Sequence, residues 1–469
     1  MTLEIVLSMT TPNTRQLSIR TELKAFVQLA IPLATAQVAQ LATGFVDTVM
    51  MGHLGRETLA AGAIASITFF SFLVTASGVV MGVSPLVAEA YGAGNKTRIE
   101  QVTRQGLWLS LLLAIPMMIA IAHLDILMSR LGQAATTVEL ATGYLDIMLW
   151  GLFPALGFAM LRGVVSGLSQ ARPILVIVIT GTGFNILGNY ILGFGKFGLP
   201  RLELVGLALA STLTWWGMFG VLILYLLRHK QFKAYQFFWC WPQFQPQILW
   251  QLFKLGVPIG VFSALEIGVY TAVSYLMATW GTDELAAHQI VFQTINLIYM
   301  VPLGMSFAAT ARIGQWVGQQ DVAGIRQAGC ISLAVGSVWT AMIVIALLLF
   351  PRQIVGLYID VLAPENASIV ALAICMMQVG AIAHLFDGVQ KIAYGALQGL
   401  QDTRVPMLLS FLFYWCIGLT SGYWLAFRWN LGGVGLWLGL MIAVAIAAVV
   451  FIWRFQKLTS KQTGAKLFS

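Results

Sequence analysis

The chain has 469 residues, of which 59% are hydrophobic and only 9% are charged. Soluble domains carry about 25% charged residues, so this composition excludes an ordinary soluble protein and favours an integral membrane protein. The net charge of +8 comes without a long basic segment, and we therefore predict no nucleic-acid partner.

Twelve stretches are apolar over the roughly 20 residues that a membrane-spanning helix needs. They are continuously apolar rather than alternating, which predicts helices and excludes a β-barrel. Glycine-rich or polar segments such as "YGAGNKTR" and "WGTDE" separate them. The predicted helices centre near Thr35, Phe72, Leu113, Leu149, Thr182, Trp216, Glu266, Asn296, Val338, Val379, Tyr414 and Val444.

The basic residues predict the orientation in the membrane. Most of the 26 lysines and arginines fall on the side of the chain termini and the even-numbered loops. The positive-inside rule then places both termini in the cytoplasm, in the plasma (inner) membrane. We predict cytoplasmic tails at residues 1–24 and 456–469, without a cleaved signal peptide, and a cytoplasmic linker at residues 229–250.

The chain also repeats itself. "LAIPLATAQVAQ" resembles "LGVPIGVFSALE", which aligns Pro32 with Pro258, and "SGLSQARP" resembles "QGLQDTRVP", which aligns Gly167 with Gly399. These matches predict an N-lobe at residues 25–228 and a C-lobe at residues 251–455, with six helices each. Such a repeat is typical of secondary transporters, and an even number of helices gives both lobes the same orientation.

Three acidic residues lie well inside predicted helices: Asp47 in the first, Glu266 in the seventh and Asp387 in the tenth. The repeat aligns Glu266 with the neutral Gln40 and Asp387 with Ala155, so the scaffold is duplicated and the acids are not. An ionisable group at mid-membrane costs about 2.5–3.5 kcal/mol on insertion scales and usually marks an ion or substrate pathway.

No basic residue near Glu266 in the sequence is an obvious partner for it. Lys391 follows Asp387 by one helical turn and could pair with it. A buried acid without a fixed partner takes up a proton or binds a cation, and either behaviour suits ion coupling.

Other polar residues support these acids. Asn185 and Asn189 share one face of the fifth helix and are expected to place carbonyl oxygens beside Asp47, although interhelical packing bonds are the alternative. Tyr270 shares a helix face with Glu266, which leaves cavity lining and plain packing both open.

No enzyme motif is present: the sequence has no HExxH, no GxSxG elbow and no Walker motif. We therefore predict that the protein is not an enzyme and uses no cofactor. Transport would then draw on an ion gradient.

Several motifs occur in order in both halves: "FVDTVMMGHLGRETLAAGAI", "PLVAEAYGAGN", "VPIGVFSALEIGVY", "LAAHQIVFQTINLIYMVPLGMSFAATARIGQWVG" and "DGVQKIAYGALQGLQDTRVP". Together they resemble the multidrug and toxic compound extrusion (MATE) family, in its NorM-type branch. The resemblance implies an all-α membrane protein with twelve helices in two six-helix lobes around a central cavity. It also implies export of cationic or amphipathic organic compounds in exchange for Na⁺ or H⁺.

The resemblance also implies roles for individual residues. Glu266 and Asp387 correspond to the C-lobe cation-coupling site, where Na⁺ is one candidate ion. Asp47 corresponds to the N-lobe acid, beside Asn185 and Asn189. The hydroxyl that the family has on the sixth helix corresponds to Ser211. We add Tyr270, from its helical spacing, and Gln40, from the repeat, to the predicted substrate or cavity-lining residues. Two positions depart from the family pattern, since some members have an aspartate at Asn189 and some Na⁺-coupled members have a tyrosine at Ala383.

We therefore predict a multidrug antiporter that works as a monomer in the lipid bilayer, by alternating access and with Na⁺ or H⁺ as the coupling ion. One alternative is a flippase for a lipid-linked saccharide or another amphiphile, which predicts a basic cavity. A channel or a non-transporting membrane scaffold is the other alternative, and a channel predicts a continuous polar stripe.

Overall fold

The computed structural model describes residues 19–130, 132–233, 235–237 and 244–460. In these ranges twelve helices are long and apolar enough to cross a membrane, which confirms the predicted number and the all-α fold class. They are α1 Ile19–Leu54, α2 Arg56–Gly92, α3 Lys96–Arg130, α4 Ala135–Gly167, α5 Arg172–Gly193, α6 Glu203–Arg228, α7 Pro246–Trp280, α8 Thr282–Gly318, α9 Val322–Leu349, α10 Pro364–Gly399, α11 Arg404–Arg428 and α12 Gly432–Leu458.

Short irregular elements interrupt or connect these helices. A turn after Val80 breaks α2, and α3 bends at His123. The last turn of α5 and two segments of α11 are π-helical, at Asn189–Gly193, Phe411–Leu419 and Trp424–Arg428. A short helix Pro351–Val355 follows α9, and the linker holds a 3₁₀ turn, Lys230–Phe232.

The helix boundaries differ slightly from the predicted lobe boundaries. α1 already begins at Ile19, ahead of residue 25, and α7 begins at Pro246, ahead of residue 251. Residues 1–18 and 461–469 of the predicted tails and residues 234 and 238–243 of the linker lie outside the described residues.

The helix caps show how closely the two halves repeat. Asn95 precedes α3, and its Oδ1 accepts a hydrogen bond from the Arg98 backbone N–H at 3.0 Å. Asp321 stands at the equivalent place before α9 and accepts from the N–H groups of Ala323 and Gly324. Both side chains satisfy backbone donors that a helix start leaves free, so the same local chemistry begins the same helix in each lobe.

The helix packing repeats as well. In the N-lobe α4 lies between α2, α3 and α6, and in the C-lobe α10 lies between α8, α9 and α12. The pairs α1–α5 and α5–α6 likewise correspond to α7–α11 and α11–α12. Between the lobes, α1 packs against α8 and α2 packs against α7, which is the pattern expected for two lobes related by an axis along the membrane normal.

Small residues let the lobes approach at both of these contacts. On α2 and α7, Gly78 faces Gly260 and Gly82 faces Gly256. A Cβ on Gly78 would lie 2.7 Å from Gly260 Cα, and one on Gly256 would lie 2.0 Å from the carbonyl oxygen of Val79. Small residues four apart allow this kind of backbone contact between membrane helices.

The α1–α8 contact uses the equivalent positions. A Cβ on Gly304 would lie 2.3 Å from Ala34 Cα, and the repeat aligns Gly304 with Gly78 and Ala34 with Gly260. Ala30 and Ala308 are also buried here. We call this set the interlobe seam: Ala30, Ala34, Gly78, Gly82, Gly256, Gly260, Gly304 and Ala308.

The seam lies in the halves of these helices that end at the terminal face, which is the membrane face shared by both described chain ends. Polar contacts between the lobes lie on the same half. Arg312 of α8 donates from Nε and Nη2 to both carboxylate oxygens of Glu22 on α1, at 2.9 and 2.5 Å. Trp316 Nε1 also donates to Glu22, which is only 1% exposed.

Two further contacts form an equivalent pair. Gln315 of α8 donates to Gly167 O at 2.8 Å and to Ser169 Oγ at 2.7 Å, in the turn after α4. In return, Gln401 in the turn after α10 donates to Glu89 of α2 at 2.5 Å. Ser169 and Gln401 have the same left-handed φ of 61°. These contacts hold the two lobes together at the terminal face.

The backbones of the two lobes contact each other in the same reciprocal way. A Cβ on Gly92 would lie 2.0 Å from the carbonyl oxygen of Gln315, and a Cβ on Gly318 would lie 2.0 Å from that of Glu89. The repeat aligns Gly92 with Gly318 and Glu89 with Gln315. The ends of α2 and α8 therefore contact each other through equivalent residues.

We expect Gly256→Ala to weaken the seam, because the new Cβ would meet the Val79 carbonyl at 2.0 Å and the overpacking would cost about 1–3 kcal/mol. The measurement is the midpoint of thermal unfolding in detergent. Gly220→Ala is the matched control, since no atom lies within 4 Å of its new Cβ. Equal midpoints for the two variants would contradict the seam's role.

Candidate functional site

Glu266 lies in α7 with both carboxylate oxygens already bonded. Lys391 Nζ of α10 is 2.7 Å from Oε2, and the Tyr299 hydroxyl of α8 donates to Oε1 at 2.7 Å. Lys391 therefore pairs with Glu266 and not with Asp387, and the expectation that Glu266 has no basic partner is wrong. The lysine side chain is long enough to leave its own helix and reach across to α7.

The Lys391 ammonium is enclosed by aromatic rings. Its Nζ lies over the rings of Phe262, Tyr299 and Tyr394, at 5.0, 5.4 and 5.8 Å from their centroids. The lysine side chain is only 6% exposed and that of Glu266 is 13% exposed. An ammonium over several aromatic faces gains cation–π attraction that is strongest when water is excluded.

Asp387 lies one helical turn before Lys391 and is 5% exposed. It is within electrostatic range of both Glu266 and Lys391. It lines a small cavity together with Tyr270, Ala383 and His384. The cavity measures about 10 Å³, close to the minimum that holds one water molecule. The structure thus places Tyr270 beside the C-lobe acids, as the sequence predicts.

The predicted N-lobe residues form one chain of side-chain hydrogen bonds. Asn189 Nδ2 donates to Asp47 Oδ1 at 2.5 Å and to Asn185 Oδ1 at 3.1 Å. Asn185 Nδ2 then donates to Ser211 Oγ at 3.0 Å. All four residues therefore meet between α1, α5 and α6.

One detail of that cluster differs from the prediction. A carboxylate only accepts hydrogen bonds, so the amide nitrogen of Asn189, and not its carbonyl oxygen, faces Asp47. The Asn189 Oδ1 is buried without a hydrogen-bond partner among the described residues. Asn189 also begins the π-helical turn of α5, and such turns are frequent at functional sites.

Gln40 belongs to a different cluster, around Arg162 of α4. Arg162 Nη1 donates to Gln37 Oε1 at 2.6 Å and to Gln40 Oε1 at 3.3 Å. The guanidinium also lies 5.2 Å from the ring centroid of Phe307 on α8, in the other lobe. Gln40 therefore orients a buried cation at the lobe interface.

Sequence reasoning missed the two buried cations. Arg162 is not among the predicted site residues and Lys391 is predicted only as a neighbour of Asp387, and the structure shows these two residues 8% and 5% exposed. Each extends from the fourth helix of its lobe to the first, where it meets Gln40 or Glu266. The available signal was their position several residues inside the apolar helices α4 and α10, where a cation needs a partner.

The two lobes therefore offer different chemistry at equivalent places. The N-lobe has one acid in an amide network and a separate arginine held by neutral amides. The C-lobe has two acids and a lysine in one group. Within the described ranges, no three His, Cys, Asp or Glu side chains lie close enough to hold a metal ion. The predicted Na⁺ site at Glu266 and Asp387 stays a prediction.

A comparison with protein families finds one match. The MatE family model matches residues 32–191 and 258–424. The two matched segments fall one in each lobe, so they follow the internal repeat.

Curated relatives match over nearly the whole chain. A "Probable multidrug resistance protein NorM" from Synechocystis sp. is 52% identical over 436 residues, which covers 93% of this chain and 95% of the relative. A Synechococcus sp. protein of the same name is 53% identical over 446 residues, covering 95% and 96%.

Solved structures of lower identity share the fold. The crystal structure of the eukaryotic MATE transporter AtDTX14 has a TM-score of 0.83 at 19% identity, covering 96% of this chain and 99% of that one. A MOP superfamily transporter from Pyrococcus furiosus has a TM-score of 0.85 at 22% identity, covering 94% and 97%. These likenesses support the two-lobe architecture.

The ion pair predicts a specific pattern of stability. Glu266→Gln should destabilise the protein by about 3–5 kcal/mol, because the buried Lys391 loses the carboxylate to which it is bonded. The double variant Glu266→Gln/Lys391→Met should recover most of that loss, since it removes both charges. A double-mutant cycle of thermal unfolding measures the coupling. Additive effects of the two single variants would show that the residues do not interact.

Proposed function

Because the chain belongs to the MatE family, we propose that it is a secondary active efflux antiporter. It exports cationic or amphipathic organic compounds in exchange for Na⁺ or H⁺, by alternating access. The relatives named multidrug resistance proteins, at 52% and 53% identity over most of their length, support this substrate class. The match in both lobes supports a complete pathway in each chain and therefore a functional monomer.

The observation that carries the proposal is the unequal placement of charge on a duplicated scaffold. The helices, caps and interlobe contacts repeat, and the membrane-embedded acids do not. Asp387 is 5% exposed and shares a cavity with Tyr270, and Asp47 ends a chain of buried amides. Packing needs no such acids, whereas cation coupling does.

The geometry suggests the order of events. With the seam closed at the terminal face, a coupling ion enters from the opposite face and neutralises the C-lobe acids. The drug then has less negative charge to hold it and leaves on the same side. Opening toward the terminal face would next separate Arg312 from Glu22 and Gln401 from Glu89. Cytoplasmic drug binds, the ion leaves, and the lobes close again.

The orientation follows from the distribution of basic residues. With both termini in the cytoplasm of the inner membrane, the closed seam faces the cytoplasm. The conformation is then the one that releases substrate to the outside.

A flippase for an anionic amphiphile is the second candidate, and one observation favours it. The buried Arg162 bonds the neutral amides of Gln37 and Gln40, so its positive charge is available to an anionic group. If scramblase assays with a fluorescent anionic lipid show no transport by protein that exports ethidium, the flippase reading is excluded.

The first test of the proposal removes the acids one at a time. Asp387→Asn keeps the Lys391–Glu266 pair and should lower ethidium or fluoroquinolone efflux from cells to the level of cells without the protein. Glu266→Gln should do the same while the protein still inserts. Glu365→Gln is the control, because Glu365 is an exposed carboxylate in the first turn of α10. Wild-type efflux by both site variants would refute the role of the acids.

The second test identifies the coupling ion. Purified protein in proteoliposomes is given a Na⁺ gradient or a proton gradient, each imposed without the other, and uptake of a fluorescent cation is followed. We expect one of the two gradients to drive uptake. Uptake that is unaffected by both gradients would exclude antiport.

A further inference from the structure

We propose that Lys391 is a tethered cation that occupies the place where Glu266 would otherwise bind a monovalent cation from solution. This inference rests on the proposed function, because it concerns which of the C-lobe acids serves the coupling ion. It assigns that task to Asp387 and gives Glu266 a built-in partner.

Both carboxylate oxygens of Glu266 are already bonded within the protein. Lys391 Nζ lies 2.7 Å from Oε2, and the Tyr299 hydroxyl lies 2.7 Å from Oε1. Each carboxylate oxygen therefore already has a donor. A cation from solution would have to displace the ammonium, which would then lose the carboxylate to which it is bonded.

The Lys391 ammonium is surrounded by aromatic rings. The three rings of Phe262, Tyr299 and Tyr394 lie 5.0–5.8 Å from Nζ. A carboxylate together with aromatic faces is the chemistry that binds free ammonium ions in other proteins. The pocket thus has the features of a cation site, and the protein's own side chain occupies it.

The two lobes differ in the partner of their buried cation. In each lobe a cation on the fourth helix extends to the first helix, and in the N-lobe Arg162 meets neutral Gln40. Only the C-lobe has a carboxylate at that position. Glu266 and Lys391 cancel each other's charge, so Asp387 carries the uncompensated negative charge of the cluster. One monovalent cation, rather than two, then neutralises the C-lobe site.

The test is direct binding of ²²Na⁺ to purified protein in detergent. Glu266-dependent binding is the amount of ²²Na⁺ bound by a protein minus the amount bound by the same protein with the additional substitution Glu266→Gln. We expect no such binding in the wild type and saturable binding in Lys391→Met. Lys391→Arg retains a cation and should resemble the wild type.

Lys254→Met is the matched control. It removes an exposed lysine of α7 that also lies over an aromatic ring, that of Trp250 at 5.4 Å, and it should leave Na⁺ binding unchanged. Glu266-dependent binding of equal affinity in the wild type and in Lys391→Met would overturn the proposal, as would its absence from Lys391→Met.

A second measurement covers the case in which the unpaired acid impairs folding. Lys391→Ala is purified in methylammonium chloride, whose cation has the chemistry of the lysine head group. Methylammonium should raise the thermal unfolding midpoint of Lys391→Ala, but not that of the wild type or of Lys391→Ala/Glu266→Gln. An equal response in all three proteins would overturn the proposal.

Binding and unfolding need no transport, so these results are separate from those on the proposed function. If the wild type does not export ethidium, the proposed antiport function is refuted. The ²²Na⁺ and methylammonium results would still decide the role of Lys391.

Discussion

A charge buried between membrane helices needs a neighbour that stabilises it, and this requirement explains much of the arrangement. Lys391 and Glu266 neutralise each other across α10 and α7, and Arg312 and Glu22 do so across the lobe boundary. Arg162 relies instead on amides and an aromatic ring. Asp47 bonds an amide, and Lys391 is bonded to Glu266 rather than to Asp387. Under the proposed function, Asp47 and Asp387 are therefore the acids that exchange ions with solution.

The lobes are held by two kinds of contact that differ in how they separate. The seam of glycines and alanines depends on close backbone approach and has no directional bond to break. The ion pair of Arg312 with Glu22 and the bond of Gln401 to Glu89 are directional. In the opening that the proposed function requires, water would replace the polar partners, so that the loss would be partly compensated. Both kinds of contact therefore allow a reversible interface.

Periodic and repeated features were predictable from the sequence, whereas contacts across helices were predictable only in part. Twelve apolar segments predicted the twelve helices, because length and hydropathy determine membrane spanning. The cluster of Asp47 with Asn189 was found through helical spacing and family resemblance. The partner of Lys391 was assigned wrongly, since spacing along one helix says nothing of a long side chain that extends to another. The direction of the Asn189 amide likewise depends on its neighbour in α1.

The reciprocal contact at the ends of α2 and α8 has the form of an isologous interface. Gly92 meets Gln315 where Gly318 meets Glu89, as in a two-fold dimer, in which one surface patch contacts its own copy. A true homodimer of six-helix chains would carry every acid twice. Joining the halves in one polypeptide removes that restriction, since a substitution then alters one lobe alone. The covalent linkage therefore permits a carboxylate at residue 266 of the C-lobe, while the equivalent residue 40 of the N-lobe is an amide.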